Sequence, residues 1–418
     1  DLKMFFEVFL LGVIIYILWN IFKKPSNYPP EAFQSQTFID RPDFKAFSFI
    51  ESDKKIDLGM GKSKIVSAVL YEAKELVKVM KKQAGVPAPL PEALTPAVIN
   101  VLWQMIASKR YDLDDQEVIG FERLIQKAQE SSARLSIQDI FPWIKNILPE
   151  TIFNYIIKKH NYSQLSDTLK SNFQSTIDEH LKILDKNNPR DFIDDYLIEM
   201  DKQKNNPDST MSIEDLIGCI GDLFTAGLET TSMTINWMVF YLATFPHVQK
   251  KLHEEIDEVL PKGTVFTLEL KSRLPYTEAF LSEVLRYSSL ASLGGFHTTR
   301  SEVNFAGYTI PKDAYVIPFL GSVHYNPKYF DSPQEFQPER FINSDGKFET
   351  PKEGLLPFGR RQCIGESLAR MELFIFMTTM LQELHFSTPP NKSLDLTTTD
   401  IPFLRQPKIN QDIVITIR

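Results

Sequence analysis

Cysteine is nearly absent: Cys219 and Cys363 are the two in 418 residues. Two cysteines cannot build a disulfide framework, so the bulk of the chain is expected in a reducing compartment. A cysteine-rich zinc site is excluded for the same reason. The seven histidines, His160, His180, His247, His253, His297, His324 and His385, include no His-x-x-x-His pair or similar ligand spacing. A bound metal would therefore have to bring its own scaffold. Excess positive charge is also lacking. The net charge is −8, which argues against a nucleic-acid partner. No repeat, no low-complexity block and no alternating strand–helix pattern appears, which excludes a doubly wound sheet.

Long apolar runs are scarce too, with one exception at the start. Phe5 to Phe22 reads FFEVFLLGVIIYILWNIF, just long enough to span a bilayer. Lys23, Lys24 and Pro25 follow it at once. A span stopped by lysines places the next domain in the cytosol. A cleaved signal peptide would carry its positive charge before the run and a small-residue site after it. The expectation is a membrane anchor over 1–24.

The remainder reads as helix-rich. Residues 63–82 have apolar side chains at helical spacing. Helical patterns run from about Val98 to Leu197, with breaks at Pro142, Pro149 and Pro189. Short strand-like runs follow Tyr287: Val303–Ile310, Tyr315–Pro318 and Asp412–Ile417. The fold class is mainly α with small β-sheets.

One helix stands out. Ser212-Ile213-Glu214-Asp215 has the form of a capping box, and the pattern then runs unbroken to Phe245. Its middle reads Phe224-Thr225-Ala226-Gly227-Leu228-Glu229-Thr230-Thr231. Glycine and paired threonines are poor helix formers, and glutamate is a poor choice for burial. Local rules broken at one place point to a functional site.

Near the end the chain reads Pro357-Phe358-Gly359-Arg360-Arg361-Gln362-Cys363-Ile364-Gly365-Glu366. Apolar periodicity resumes from Leu368 through Leu384. Cys363 thus sits in a turn feeding a helix N-terminus, where free N–H groups and the helix dipole favour a thiolate. Alone, Cys363 would read as a small loop residue. It is accompanied by Glu283-Val284-Leu285-Arg286 on a helix and by Pro338-Glu339-Arg340-Phe341.

With Ala226-Gly227-Leu228-Glu229-Thr230, these segments resemble, in order, the signatures of the cytochrome P-450 family. Leu368-Ala369-Arg370-Met371-Glu372-Leu373-Phe374 looks like the microsomal group that includes animal drug- and hormone-metabolising enzymes. The resemblance implies the P-450 fold preceded by a transmembrane helix. It divides the chain into an anchor at 1–24, a hinge and shortened segment at 25–59, and a haem domain at 60–418. It implies haem b as cofactor, with Cys363 as axial ligand to the iron. Arg361 and His297 would meet the haem propionates, and Phe358 and Gly227 would border the cofactor, Gly227 letting the helix open locally for oxygen. Glu229 and Thr230 would relay protons to dioxygen. Glu283, Arg286 and Arg340 would form a structural triad.

The implied activity inserts one atom of O2 into a lipophilic small molecule. The implied partners are NADPH–cytochrome P-450 reductase and cytochrome b5, at the endoplasmic reticulum membrane. A haem-thiolate isomerase or peroxide-using relative is the rival enzyme reading. A membrane-anchored remnant without haem is the non-enzyme reading. Three departures from the family pattern support the last of these. The Pro-rich hinge at Pro29-Pro30 runs directly into Glu31, without the usual helix and two strands. No Trp-x-x-x-Arg helix lies near Ser52 to Lys62. Two residues are missing between Phe358 and Gly359.

Overall fold

The computed structural model describes residues 63–140, 149–156, 159–264, 266–295, 297–359, 363–398 and 404–418. The anchor expected at 5–22 and the hinge lie outside them. Among the described residues no helix is long and apolar enough to cross a membrane.

Four helices make the frame. They are α1 (Ser63–Lys82), α2 (Leu94–Ala107), α3 (Gln116–Ile140) and α4 (Glu150–Ile156). Then come α5 (Lys159–Ile183), α6 (Phe192–Lys202) and the long α7 (Ile213–Thr244). Pro149 precedes α4 and Pro189 separates α5 from α6, as helix-breaking residues should. After α7 come α8 (Pro246–Val259) and α9 (Pro275–Ser288), each with proline in its first turn. The short α10 (Leu320–His324) and the final α11 (Glu366–Glu383) complete the set.

The sheets are small. β1 (His297–Thr298) pairs antiparallel with β4 (Tyr315–Val316), and β2 (Val303–Phe305) with β3 (Tyr308–Ile310). β5 (Leu384–Ser387) pairs with β6 (Val414–Ile417). The strand-like runs at 303–310, 315–318 and 412–417 therefore hold strands. β5 differs from expectation, because its apolar residues continue the periodicity of α11 without a break. Pairing with β6, which a local pattern cannot register, turns Leu384 from helix to strand.

α7 is the axle of the fold. Its N-cap is Ser212, whose Oγ accepts from the Asp215 N–H at 3.0 Å and donates to Asp215 Oδ2 at 2.7 Å. This is the capping box expected from the sequence. It satisfies the orphan N–H of Asp215, typically stabilising by about 1 kcal/mol. α7 packs against α2 on one side and α11 on another, while α11 also packs on α1. Phe224 of α7 lies at the centre of a ring cluster with Trp103, Phe121 and Phe173, at centroid separations of 4.6 to 6.0 Å. Phe224 is fully buried, so burying its ring contributes roughly 2–3 kcal/mol.

Candidate active site

The middle of α7 interrupts its own burial. Phe224 and Leu228 are buried, whereas Thr225 and Ala226 between them are exposed and Glu229 and Thr230 are half-buried. Positions 225, 226, 229 and 230 share one face of a helix. That face is uncovered between buried residues on both sides, Leu223 and Phe224 before it and Thr231 and Ser232 after it. The backbone there is regular α-helix throughout. Thr230 Oγ1 donates to the Ala226 carbonyl at 2.8 Å, and Thr234 Oγ1 to the Thr230 carbonyl at 2.7 Å. Gly227 has a packing reason for its identity. A Cβ there would lie 3.2 Å from Leu102 of α2, so the missing side chain allows the two helices their close approach.

Glu229 is held from a distant part of the chain. Gln406 Nε2 donates to Glu229 Oε1 at 2.9 Å. The neighbouring Arg405 is fixed to the same helix by its carbonyl, which accepts from Trp237 Nε1 at 3.0 Å.

Cys363 precedes α11, whose N-cap is Gly365. The backbone N–H groups of Gly365 and Glu366 bond the sulfur and pull its pKa down. They do not win. Crowding by protein around the sulfur, the largest cause, and the Glu366 carboxylate hold the thiol above its ordinary value. The thiolate preference expected from the helix dipole is therefore not met by the polypeptide alone. A cation at the sulfur would reverse it, as metal coordination does to thiols. Before Cys363, the Gly359 N–H donates to the Leu356 carbonyl at 3.1 Å, and Gly359 takes a φ of 75°. Glycine fits this left-handed position without steric cost. Leu356 to Gly359 thus form a tight turn. The Arg370 guanidinium lies 4.8 Å above the Phe358 ring and pairs with Glu366 at 2.8 Å.

Glu372, on α11, ties the two halves together. It accepts a hydrogen bond from the Thr231 side chain, next to Thr230. Its Oε1 is buried with no partner among the described residues. Burial pushes its pKa up to about 8, so the carboxyl is protonated at neutral pH.

Behind the loop stands a charge cluster. Arg286 grips Glu283 with Nε at 2.7 Å and Nη2 at 2.8 Å, and both side chains are fully buried. Arg340 Nε reaches Glu283 Oε1 at 3.2 Å. Arg286 Nη1 donates to the His324 and Pro333 carbonyls, and Arg340 Nη1 to the Asp331 carbonyl. The three residues singled out by motif therefore meet, and they fasten the coil from 324 to 341 onto α9. The coil continues to the cysteine turn through His324. Its Nε2 accepts the Leu356 N–H at 3.0 Å, and its Nδ1 bonds Ser289 Oγ at 2.9 Å. Burial, then the Arg286 and Arg405 charges, lower the His324 pKa to about 4, which keeps the ring neutral as an acceptor.

His297 is exposed on β1, paired in register with Val316. Arg361 lies outside the described residues. Glu372, His324 and Gln406 were not singled out by sequence. Glu372 sits inside an apolar periodic run, and the other two bear no motif. The fold also gathers His180, Asp191 and Asp194, which no spacing revealed. These satisfy one another and Arg190: His180 Nε2 meets Asp191 Oδ2 at 3.1 Å, and Arg190 spans Asp194 at 2.6 and 2.8 Å.

The donor set fits a haem iron on one side. A single accessible thiol sits in an amide nest at a helix N-terminus, and the helix it begins packs against α7, whose central face is bare.

Known proteins agree with this reading. The cytochrome P-450 family model matches residues 55–412. Cytochrome P-450 2L1 of Panulirus argus is 41% identical over 345 residues, covering 81% of this chain and 69% of that protein. Cytochrome P-450 2C3 of Oryctolagus cuniculus is 35% identical over 360 residues, covering 84% and 71%. Cytochrome P-450 2B19 of Mus musculus is 34% identical over 338 residues, covering 80% and 67%. With the motifs in order and the match spanning most of its length, this chain belongs to the cytochrome P-450 family, whose cofactor is haem and whose general activity is haem-thiolate monooxygenation.

Proposed function

We propose that this chain oxygenates a lipophilic small molecule, using electrons from NADPH delivered by a membrane-bound reductase, with cytochrome b5 as a second donor. The observation that carries the proposal is the bare central face of α7, bearing Thr225, Ala226, Glu229 and Thr230, in a domain whose α11 begins at Cys363.

Haem held by Cys363 would supply dioxygen binding and reductive O–O cleavage, which the thiolate ligand favours. The residues of the chain do the rest. Cys363 holds the cofactor, with its sulfur oriented by the Gly365 and Glu366 amides. Arg361 and His297 would meet its propionates, and Phe358 would pack at its edge. Thr230 keeps its hydroxyl on the bare face by donating to the Ala226 carbonyl. Glu229, positioned by Gln406, carries protons from solvent toward Thr230, and the Thr230 hydroxyl passes them on. Gly227 keeps α7 close to Leu102. Glu283, Arg286 and Arg340 set the coil behind the cysteine turn.

The apolar stretches at 220–231 and 288–296 favour a terpenoid, sterol, fatty acid or xenobiotic as substrate class. Phe5–Phe22 anchors the protein in the endoplasmic reticulum with 60–418 on the cytosolic side, its basis being the lysines that follow the apolar run. Alkaline carbonate extraction tests the anchor, and full release would contradict it. Isotope labelling tests the reaction. The full chain, a reductase and NADPH are supplied with labelled dioxygen and a panel of a fatty acid, a sterol and an alkylbenzene. One labelled oxygen in a product supports the proposal. Turnover with peroxide alone, or rearrangement without labelled oxygen, would favour the peroxide-using or isomerase reading instead.

A further inference from the structure

α3 meets α7 where the bare face begins. The Phe121 ring lies 5.0 Å from the Phe224 ring. Further along α3, Gln129 reaches the next residue of α7, its Nε2 donating to the Thr225 carbonyl at 3.1 Å. A carbonyl can only accept, so this bond fixes which way the amide points. Oε1 shares its carbon with Nε2 and therefore lies at the same end of the face. The Thr225 carbonyl sits inside a regular α-helix, where the N–H four residues on is its ordinary partner. The bond from Gln129 is an additional one, and what it does is hold the amide beside Thr225.

Both side chains keep accessible surface, Gln129 in part and Thr225 fully. Among the described residues nothing donates to Gln129 Oε1, and the Thr225 hydroxyl has no partner. Gln129 thus offers a free acceptor and a second N–H, and Thr225 offers a hydroxyl that can do either. Neither group is charged. An alcohol hydroxyl donates and accepts at once, which matches this pair. A ketone or an ether would leave the Oε1 acceptor unmatched. A carboxylate would share the face with the Glu229 carboxylate and be repelled by it.

We propose that Gln129 is a specificity-determining residue, selecting a lipophile that carries a hydroxyl group and holding that hydroxyl between its amide and Thr225. This rests on the reading of the bare face as the substrate site and narrows it to one chemical class. Thr225 precedes Thr230 by five residues, about 7.5 Å along the helix axis. The held hydroxyl therefore stands apart from the proton relay, and the hydrocarbon body lies along the face toward it.

The test is calorimetric titration of the full chain with phenylbutanol, a terminal alcohol, and with butylbenzene, which lacks the hydroxyl. An alcohol loses more hydration than a hydrocarbon on entering an apolar site, so each ligand is compared with itself across variants. Gln129→Leu should weaken phenylbutanol roughly tenfold, the scale of one lost hydrogen bond, and leave butylbenzene within about twofold. Thr225→Val should weaken phenylbutanol several-fold and spare butylbenzene. It is nearly isosteric at an exposed position, so it keeps the test decisive if Gln129→Leu folds poorly. Equal changes for the two ligands, or no change for phenylbutanol in either variant, overturn the proposal. Labelled-oxygen turnover separates it from the reading beneath it. Oxygenation of butylbenzene by a chain whose alcohol affinity ignores Gln129 sinks this inference and leaves the oxygenation standing. A hydroxyl-specific loss in Gln129→Leu without labelled product upholds the inference and counts against the oxygenation alone.

Discussion

Gln406 Nε2 donates to Glu229 Oε1 at 2.9 Å, joining the C-terminal loop to the middle of α7 across 177 residues of chain. If Glu229 works as a proton carrier, its orientation depends on this bond. Thr230→Ala should slow product formation roughly a hundredfold, the low end for losing a proton donor, and divert electrons into peroxide. Gln406→Leu should do the same to a smaller degree, about tenfold, since the carboxylate remains. The measurement is peroxide released and product formed per NADPH consumed. Unchanged coupling in both variants would count against the relay.

Glu283 and Arg286 are each fully buried, and Arg340 contributes one further contact. Glu283→Ala leaves the Arg286 charge buried without its partner, which costs about 3–5 kcal/mol. Arg340→Ala leaves the two-armed Glu283–Arg286 pair intact and should cost clearly less. Urea unfolding of the purified chain reads both. Equal losses would show that Arg340, not Arg286, carries the cluster.

Glu372 titrates in the opposite sense to an ordinary surface carboxylate. Its folded pKa of about 8 lies above the unfolded value near 4.5. The folded state therefore holds a proton that the unfolded state has lost. The stability this contributes is complete below about pH 4.5 and is lost as the pH rises to 8. The loss amounts to about 5 kcal/mol at most. Glu372→Gln should remove this slope and raise the melting temperature at pH 8 relative to the wild type. A wild-type slope retained in Glu372→Gln would refute the assignment.

The tight turn at Leu356–Gly359 stands where the resemblance implies two further residues between Phe358 and Gly359. A ligand displaced by about an ångström holds its metal poorly. The chain as it stands should therefore retain haem at a low haem-to-protein ratio. Inserting two glycines between Phe358 and Gly359 should tighten haem retention roughly tenfold, the scale on which supporting contacts tune metal sites. Haem-to-protein ratio after gel filtration measures it. Stoichiometric haem in the unaltered chain would contradict this.

Much of this architecture was legible in the sequence. The capping box at Ser212 and the proline stop before α8 delimit α7 by local chemistry, and the helix formed at Ile213–Thr244. The segments bearing Glu283, Arg286 and Arg340 were legible as motifs, and the fold brings them together. The hidden parts depend on distant partners. β5 exists because β6 pairs with it. His324 and Gln406 matter for what they reach, Leu356 and Glu229, and neither contact leaves a trace in residue spacing. Glu372 falls inside the apolar run from Leu368 to Leu384, whose spacing does not reveal that its carboxyl is buried. Gly227, where the resemblance implies local opening of the helix, also packs close to Leu102, a relation invisible along the chain.

The central claim is that Cys363 is the sulfur that holds haem iron. The direct measurement is the absorption spectrum of the reduced, carbon monoxide-bound protein for the wild type, Cys363→His and Cys219→Ala. Cys219 is buried on α7, in the apolar core that α7 shares with its neighbours, where burial pushes its thiol up to about 12. The wild type and Cys219→Ala should show the long-wavelength band of thiolate-bound haem, and Cys363→His should lose it while still binding carbon monoxide. A band that survives Cys363→His, or that vanishes in Cys219→Ala, would contradict the account.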